Sequence, residues 1–298
     1  MTLLQTLEPT EDKFQDIQRG ALWMILAALS FTAMLYCVRY LEGRYPSIEV
    51  VFFRSLGGLI FVLPPLLKHG LGGLQTRAFP MHLSRTVFAL AAMCTFYYGV
   101  AYVSMSDATA FTFIIPLFAT VGVALILREK VDALRWIATI FGFCGTLIII
   151  RPGFIEITIP VLVILLSAVF YAGSWISMKI LTRTDSASLI VFYMNILIVP
   201  LALIPTLFIG IKPNFIDLLF LLAVGLTGSY AHFCQAKAFG SADVSAVMPF
   251  DFLRLPMSVF CGWVFLGEKT EIWTWLGAII IFASTYLIAW REAQISSN

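Results

Sequence analysis

The sequence predicts an all-α integral membrane protein with ten transmembrane helices, and three observations support that fold class. Of the 298 residues, 60% are hydrophobic and only 12% are charged, and the mean hydropathy is +0.93. A soluble globular protein carries about 25% charged residues, so this chain lacks the polar surface that a water-soluble fold needs. Apolar segments of spanning length recur along the chain, without the alternating pattern of a transmembrane barrel.

Each predicted span is long enough to cross roughly 30 Å of hydrocarbon at about 1.5 Å per residue. The first apolar run follows Arg19 and is about 20 residues long, so we expect a retained helix rather than a cleaved secretory signal. Short polar breaks separate ten such segments, at about residues 20–40, 47–67, 81–103, 107–127, 133–150, 158–180, 187–209, 215–237, 243–266 and 272–290.

The distribution of Lys and Arg among the loops predicts the orientation of these spans. With the N-terminus inside, twelve of these residues fall on the inner side and five on the outer side, while Arg54 and Arg254 stay within spans. The short tails 1–18 and 292–298 are therefore both expected on the cytoplasmic side.

The chain also repeats itself at an offset of about 136–140 residues, which is close to five spans. The paired segments are Ser106–Ala110 with Ala242–Ala246, Arg128–Lys130 with Gly267–Lys269, and Val51–Arg54 with Val191–Met194. An odd number of spans per repeat forces the second half to lie upside down relative to the first, as in many secondary transporters. The sequence thus predicts two inverted five-helix repeats, 19–152 and 153–291.

Several of these segments carry a resemblance to a known family. They are Glu49–Arg54, Asp107–Ala110, Pro116–Phe118 and Arg128–Lys130 in the first half, and Lys237–Gly240, Asp243–Ala246, Pro249–Arg254 and Gly267–Lys269 in the second. The pattern resembles the drug/metabolite transporter superfamily, specifically its ten-helix transporters built from two EamA-type repeats. The resemblance covers about residues 20–291.

Within that superfamily the chain is most similar to bacterial S-adenosylmethionine uptake carriers. The resemblance implies a secondary transporter in the cell (inner) membrane that moves a small metabolite by alternating access, with S-adenosylmethionine as the expected substrate. Related carriers often have tyrosines where this chain reads Pro249–Arg254, and neighbouring branches carry riboflavin, amino acids and other solutes. Those solutes are the alternative substrates.

Charged residues inside the spans are the first candidates for the site, because a polar group in a bilayer is costly. Asp251 and Arg254 are three residues apart near the middle of the ninth span, so they share a helix face. They either neutralise each other for packing, or face a cavity where Arg254 takes a carboxylate and Asp251 a cation. Arg54 in the second span either contacts substrate, or snorkels outward and pairs, for example with Glu49.

The remaining candidates lie deeper in other spans. His232 in the eighth span is either a hydrogen-bonded structural group or a proton carrier, since histidine titrates near neutral pH. Aromatic residues of spans three, four and six are either packing residues or rings that stack on a substrate or hold a sulfonium. These aromatic candidates are Tyr97, Tyr98, Phe113, Tyr171 and Trp175.

Two other classes of function compete with transport. A membrane-embedded enzyme requires a reactive group of side chains, and the three histidines and the carboxylates form none in the sequence. A scaffold or receptor of this kind usually carries a larger soluble region. We expect no nucleic-acid partner, because the net charge is only +2. We also expect no catalysis, no cofactor and no metal site. A monomer in the lipid bilayer should suffice, since both halves lie in one chain.

Overall fold

The computed structural model describes residues 9–41, 43–67, 74–115, 117–118, 133–150, 158–241 and 247–295. Within these ranges the regular structure is all helical, with no β-strand. The α-helices are α1 (Pro9–Leu41), α2 (Ser47–Leu67), α3 (Phe79–Val100), α4 (Met105–Thr112), α5 (Ala133–Ile150), α6 (Ile159–Leu181), α7 (Ala187–Ile209), α8 (Phe215–Ser241), α9 (Arg254–Leu266) and α10 (Ile272–Ile295). A 3₁₀ helix (Met248–Leu253) precedes α9.

Six of the described helices are long and apolar enough to cross a membrane, namely α1, α2, α3, α6, α7 and α8. The apolar helices Arg254–Leu266 and Ile272–Ala283 are shorter. The fourth predicted span is described as helical over the 8 residues of α4 and at Ile115, Leu117 and Phe118, since Pro116 and 119–132 lie outside the described residues. An all-helical protein with several membrane-spanning helices is therefore confirmed, and the ten-span layout stays a prediction.

The distribution of polar and apolar side chains is that of a protein surrounded by lipid. Large apolar side chains such as Phe208, Phe215 and Trp263 point outward, and Phe208 is 84% exposed. Charged side chains such as Arg54 and Asp251 lie inside, each 1% exposed. In water this arrangement would be costly, whereas in a bilayer the apolar exterior faces hydrocarbon and the polar interior is shielded.

Helix ends differ from the predicted span ends where polar residues continue a helix beyond the membrane. Helix α1 begins at Pro9 rather than near residue 20, and α8 runs to Ser241 rather than 237. Proline suits the first helical position, because its amide nitrogen needs no partner there. Hydropathy reports the lipid-facing part of a helix, so it misses such polar extensions.

The ninth predicted span is interrupted, as its prolines predict. Pro249 lies in the 3₁₀ helix and Pro256 lies in the first turn of α9. Proline has no amide hydrogen to donate to the preceding turn, which disfavours a continuous α-helix through this stretch. The predicted interruption of the fourth span at Pro116 falls on a residue outside the described part of the chain.

The helices pack in pairs that join the two halves. Helix α1 packs on α8, α3 on α6, α2 on both α7 and α8, α4 on α9, and α5 on α10. Helices α2 and α8 approach closely at two glycines, because a Cβ at Gly57 would lie 2.7 Å from the Leu222 carbonyl oxygen. A Cβ at Gly225 would lie 2.8 Å from the Gly57 Cα. This crossing sets the position of the α2 residue Arg54, one turn earlier.

Candidate functional site

A partly open cavity of about 580 Å³ lies between helices of both halves of the chain. Its walls come from α1, α2, α3 and α4 of the first half and from α6, α8 and α9 of the second. The lining residues are Phe31, Thr32, Met34, Leu35, Arg54, Phe96, Tyr97, Thr109, Thr112, Ile115, Tyr171, Trp175, His232, Arg254 and Ser258.

Arg54 is a buried charge in the wall of this cavity, and the described part of the chain offers it no hydrogen-bond acceptor. Its side chain is 1% exposed, and none of its three guanidinium nitrogens has an acceptor among the described residues. Glu49, the partner considered from the sequence, instead accepts a hydrogen bond from the Ile211 amide (2.9 Å). Arg54 therefore neither snorkels to the surface nor pairs with Glu49.

Helix α8 leaves room for the Arg54 guanidinium because its residue 228 is a glycine, which has no side chain. A Cβ at Gly228 would lie 3.2 Å from Arg54 Nε and 3.3 Å from Nη2. One turn earlier, Gly225 packs against the Arg54 carbonyl oxygen. The two glycines together hold the backbone and the side chain of Arg54 close to α8, so the guanidinium has little freedom to leave the cavity wall.

Arg254, on the opposite wall, is surrounded by protein groups. Its Nη2 donates to the Asp251 carboxylate, as their spacing of three residues predicts. The Arg254 Cζ also lies 5.3 Å from the centre of the Phe31 ring and 5.7 Å from that of Phe113. Such distances allow cation–π attraction to both rings. Asp251 is thus engaged by Arg254, and only its Oδ1 lacks a partner among the described residues.

Two hydroxyls join the walls formed by α4 and α9. The hydroxyl oxygens of Thr109 and Ser258 lie 2.7 Å apart. One hydroxyl donates to the other, and the accepting one donates its own proton to a backbone carbonyl, which is that of Met105 (2.9 Å) for Thr109 or that of Arg254 (2.5 Å) for Ser258. This contact ties the helix that carries Arg254 to the first half of the chain.

His232 lies in the cavity wall and is 4% exposed. Its ring meets Phe31 edge to face, with centroids 5.1 Å apart and planes at 87°. Its Nδ1 has no hydrogen-bond partner among the described residues, and neither atom of the nearby Gln235 amide group has one. Unpaired polar atoms of this kind are available to a ligand or to water.

Three of the five predicted aromatic residues line the cavity, namely Tyr97, Tyr171 and Trp175. Phe96 meets Tyr171 edge to face, with centroids 6.0 Å apart. The Tyr97 hydroxyl donates to the Met34 sulfur at 3.6 Å. The rings therefore form an aromatic wall on α3 and α6 beside the cation of Arg54.

The other two aromatic candidates lie elsewhere. Tyr98 is 41% exposed and lines a second cavity of about 770 Å³, which also includes Arg44 and Tyr45. Phe113 packs beside Arg254 and does not line the central cavity itself. Tyr97 lines both cavities, so its ring separates them.

Sequence reasoning missed part of the site and misplaced one charge. Phe31, Phe96, Thr109 and Ser258 were not singled out, because nothing in an apolar run distinguishes a cavity-facing residue from a packing residue. Arg85 was counted as a cytoplasmic loop charge, yet it lies in α3 and is 1% exposed. The position of Arg85 inside an apolar segment was the signal that it is not a loop residue. Leaving Arg85 out of the count of loop charges does not change which side has more Lys and Arg.

Chemically, the cavity combines cations, rings and hydroxyls. The described residues hold no group of three or more side chains that could bind a metal ion. A multi-pass helical membrane protein with a cavity between its two halves, lined by apolar side chains and a few polar groups, has the architecture of a membrane carrier.

The chain belongs to the EamA-like transporter family, which matches residues 18–151 and again residues 158–290. It is 34% identical over 283 residues to the riboflavin transporter of Vibrio cholerae serotype O1, covering 93% of this chain and 95% of that protein. It is 28% identical over 287 residues to the S-adenosylmethionine uptake transporter of Rickettsia prowazekii, covering 96% and 98% of the two chains. A solved crystal structure that is 12% identical has the same fold, with a TM-score of 0.67 over 93% of this chain and 98% of that chain.

The predicted resemblance to the drug/metabolite transporter superfamily is therefore confirmed. The chain is a multi-pass membrane protein and a transporter of a small metabolite. The family and the names of these relatives point to transport rather than to catalysis. They differ in substrate, so the solute that this chain carries is a separate question.

Proposed function

We propose that this protein is a secondary carrier that moves a small aromatic metabolite across the inner membrane by alternating access. The observation that carries the proposal is the cavity between the two halves, in which Arg54 has no hydrogen-bond acceptor among the described residues and shares the lining with Tyr97 and Tyr171. A cation with open hydrogen-bond donors and a wall of rings together suit a ligand with an aromatic body and strong acceptors. The proposed binding residues are those predicted candidates that line this cavity.

The proposed architecture is ten spans arranged as two inverted five-helix repeats, with both termini in the cytoplasm. The separate matches of one family to 18–151 and 158–290 support the repeat. The helix pairs support the repeat as well. If α1–α5 are exchanged in order with α6–α10, the α1–α8 pair becomes the α6–α3 pair, and the pairs α2–α7, α4–α9 and α5–α10 stay the same. A pseudo-two-fold axis between the halves has this consequence.

Contacts between the halves at both ends of the bundle support alternating access. At the predicted outer end, Arg39 pairs with Glu268 (2.6 Å) and Arg44 pairs with Asp217 (3.0 Å). At the predicted inner end, the Asp185 carboxylate accepts a hydrogen bond from the Thr76 hydroxyl (2.9 Å). Each set joins the first half to the second, so opening the cavity to one side requires breaking one set while the other remains.

Two substrates are the leading candidates. S-adenosylmethionine follows from the sequence resemblance, and a riboflavin-type flavin follows from the relative with 34% identity. The cavity disfavours the sulfonium of S-adenosylmethionine as the main recognition element, because Asp251 is already engaged by Arg254. Its carboxylate and adenine ring, and the ring system of a flavin, match the cavity better.

Uptake by the purified protein in proteoliposomes tests the proposal. Vesicles preloaded with unlabelled riboflavin or S-adenosylmethionine should accumulate the same labelled compound faster than empty vesicles, since an exchanging carrier is stimulated from the opposite side. Thr112→Phe should abolish this uptake, because the ring fills the cavity that Thr112 lines. Leu207→Phe, a matched change at a residue 74% exposed, should transport like the wild type.

The opposite results would contradict the proposal at different points. Uptake that neither saturates with substrate concentration nor responds to preloading would argue for a channel rather than a carrier. Equal transport by Thr112→Phe and Leu207→Phe would place the pathway outside this cavity. A reporter at either terminus that is accessible from outside intact cells would refute the proposed cytoplasmic placement of both termini.

A further inference from the structure

The acidic residues near Arg54 do not neutralise it. Glu49 binds the Ile211 amide, and Asp251 binds Arg254. Arg85 on α3 is a further buried cation close enough to act electrostatically on Arg54, and its Nη1 donates to the Ile190 carbonyl (2.9 Å). Arg85 Nε and Nη2 also lack partners among the described residues.

The remaining buried or half-buried carboxylates near helix ends are engaged as well. Their partners lie at the two ends of the bundle rather than in the central cavity. Asp217 binds Arg44 and Tyr45, Glu268 binds Arg39 and the Met105 amide, Asp185 binds Thr76 and His82, and Asp107 binds Ser104 and Thr274. The cavity region around Arg54 therefore carries positive charge that the described residues do not balance.

A buried charge persists only when it is paired, and arginine does not lose its proton in proteins. Resting on the proposed function, we propose that the substrate supplies the missing negative charge, as a carboxylate or phosphate of a soluble metabolite bound by Arg54. The planar guanidinium presents two parallel N–H donors that match either group. The metabolite's ring would then lie toward Tyr97 and Tyr171, which line the same cavity.

Matched ligand pairs test this charge preference independently of which metabolite is carried. We would measure dissociation constants for the full-length protein in phosphatidylcholine nanodiscs, a lipid without net charge. One pair is riboflavin 5′-phosphate and riboflavin, and the other is S-adenosylmethionine and its decarboxylated form. In any pair that binds, the member with the added anionic group should bind on the order of tenfold to a hundredfold more tightly, as a charge-assisted contact provides.

The Arg54→Gln variant should erase this difference within a pair. Arg39→Gln is the matched control, because it removes an equal charge at the outer end and should alter both members of a pair alike. Equal affinity of the two members for the wild type would overturn the inference. A preference that survives Arg54→Gln would overturn it as well.

If neither pair binds, that result counts against the proposed substrate class but does not test the charge of the substrate. A second measurement, of thermal stability without ligand, then tests the inference about Arg54. Without ligand, Arg54→Gln should raise the melting temperature, because it removes a buried cation that has no partner. Arg254→Gln should lower the melting temperature, because it leaves the Asp251 carboxylate alone. A lower melting temperature for both variants would show that Arg54 already has its counter-charge within the protein, and would overturn the inference.

Discussion

Two arginines line opposite walls of the same cavity, and the protein treats them differently. Arg254 donates to Asp251 and lies between the rings of Phe31 and Phe113. Arg54 has the same guanidinium group and is buried at 1% exposure, yet no described residue accepts from it. Arg254 therefore has its counter-charge within the protein, whereas no described residue supplies one for Arg54.

This difference separates a charge that is paired within the protein from one that we propose is paired by the substrate. A buried ion pair seldom adds net stability, but breaking it is expensive because one charge is left alone. Asp251 and Arg254 therefore give α9 a fixed geometry next to the interrupted ninth span. Arg54 keeps its binding capacity free, at a cost in stability that is common at functional sites.

The largest expected effect comes from dividing the Asp251–Arg254 pair. Arg254→Gln should lower stability by about 3–5 kcal/mol, the usual cost of leaving one buried charge without its partner. The double variant Asp251→Asn/Arg254→Gln should recover most of that loss, because neither charge remains. Melting temperatures of the four purified proteins measure this coupling. A double variant as unstable as the sum of the single variants would show that the two residues do not act as a pair.

A smaller effect is expected where α8 supports Arg54. Gly225→Ala places a methyl group against the Arg54 carbonyl oxygen and the Gly57 Cα, both backbone atoms that cannot move aside. We expect a loss of about 1–3 kcal/mol from overpacking, larger than the gain of about 1 kcal/mol in helix propensity. Gly240→Ala is the matched control on the same helix, since its Cβ would lie 4.0 Å from the nearest atom, Thr182 Cβ. Thermal denaturation of both variants should show a loss for Gly225→Ala only.

Much of the fold was accessible from the sequence, because hydropathy directly reports which segments meet lipid. The six long apolar helices begin or end within a few residues of predicted spans wherever polar residues do not extend them. The interruption of the ninth span follows from two prolines, a local effect that needs no tertiary information. The polar first turns of α1 were missed because their helical preference does not appear in a hydropathy profile.

The site was less accessible, because it depends on contacts between distant residues. Tyr97 and Tyr98 are adjacent, and neighbouring residues on a helix point about 100° apart, so only one faces the cavity. The sequence does not reveal which one. Likewise, nothing marks Phe31 among the 26 phenylalanines, and the α2–α8 crossing that positions Arg54 depends on glycines 57 and 225.

The smallest expected effect concerns Phe31, whose ring contacts Arg254 and His232. Phe31→Leu keeps an apolar side chain but removes the ring, so its coupling to Arg254 should be about 0.5–2 kcal/mol, the range of cation–π pairs. A double-mutant cycle of Phe31→Leu with Arg254→Gln measures this coupling from melting temperatures. The parallel cycle with Arg54→Gln should be additive, since Arg54 has no ring contact with Phe31 among the described residues. Equal coupling in both cycles would mean that the ring stabilises the whole cavity. Coupling to Arg254 alone would show that the Phe31 ring stabilises this cation specifically, rather than the cavity as a whole.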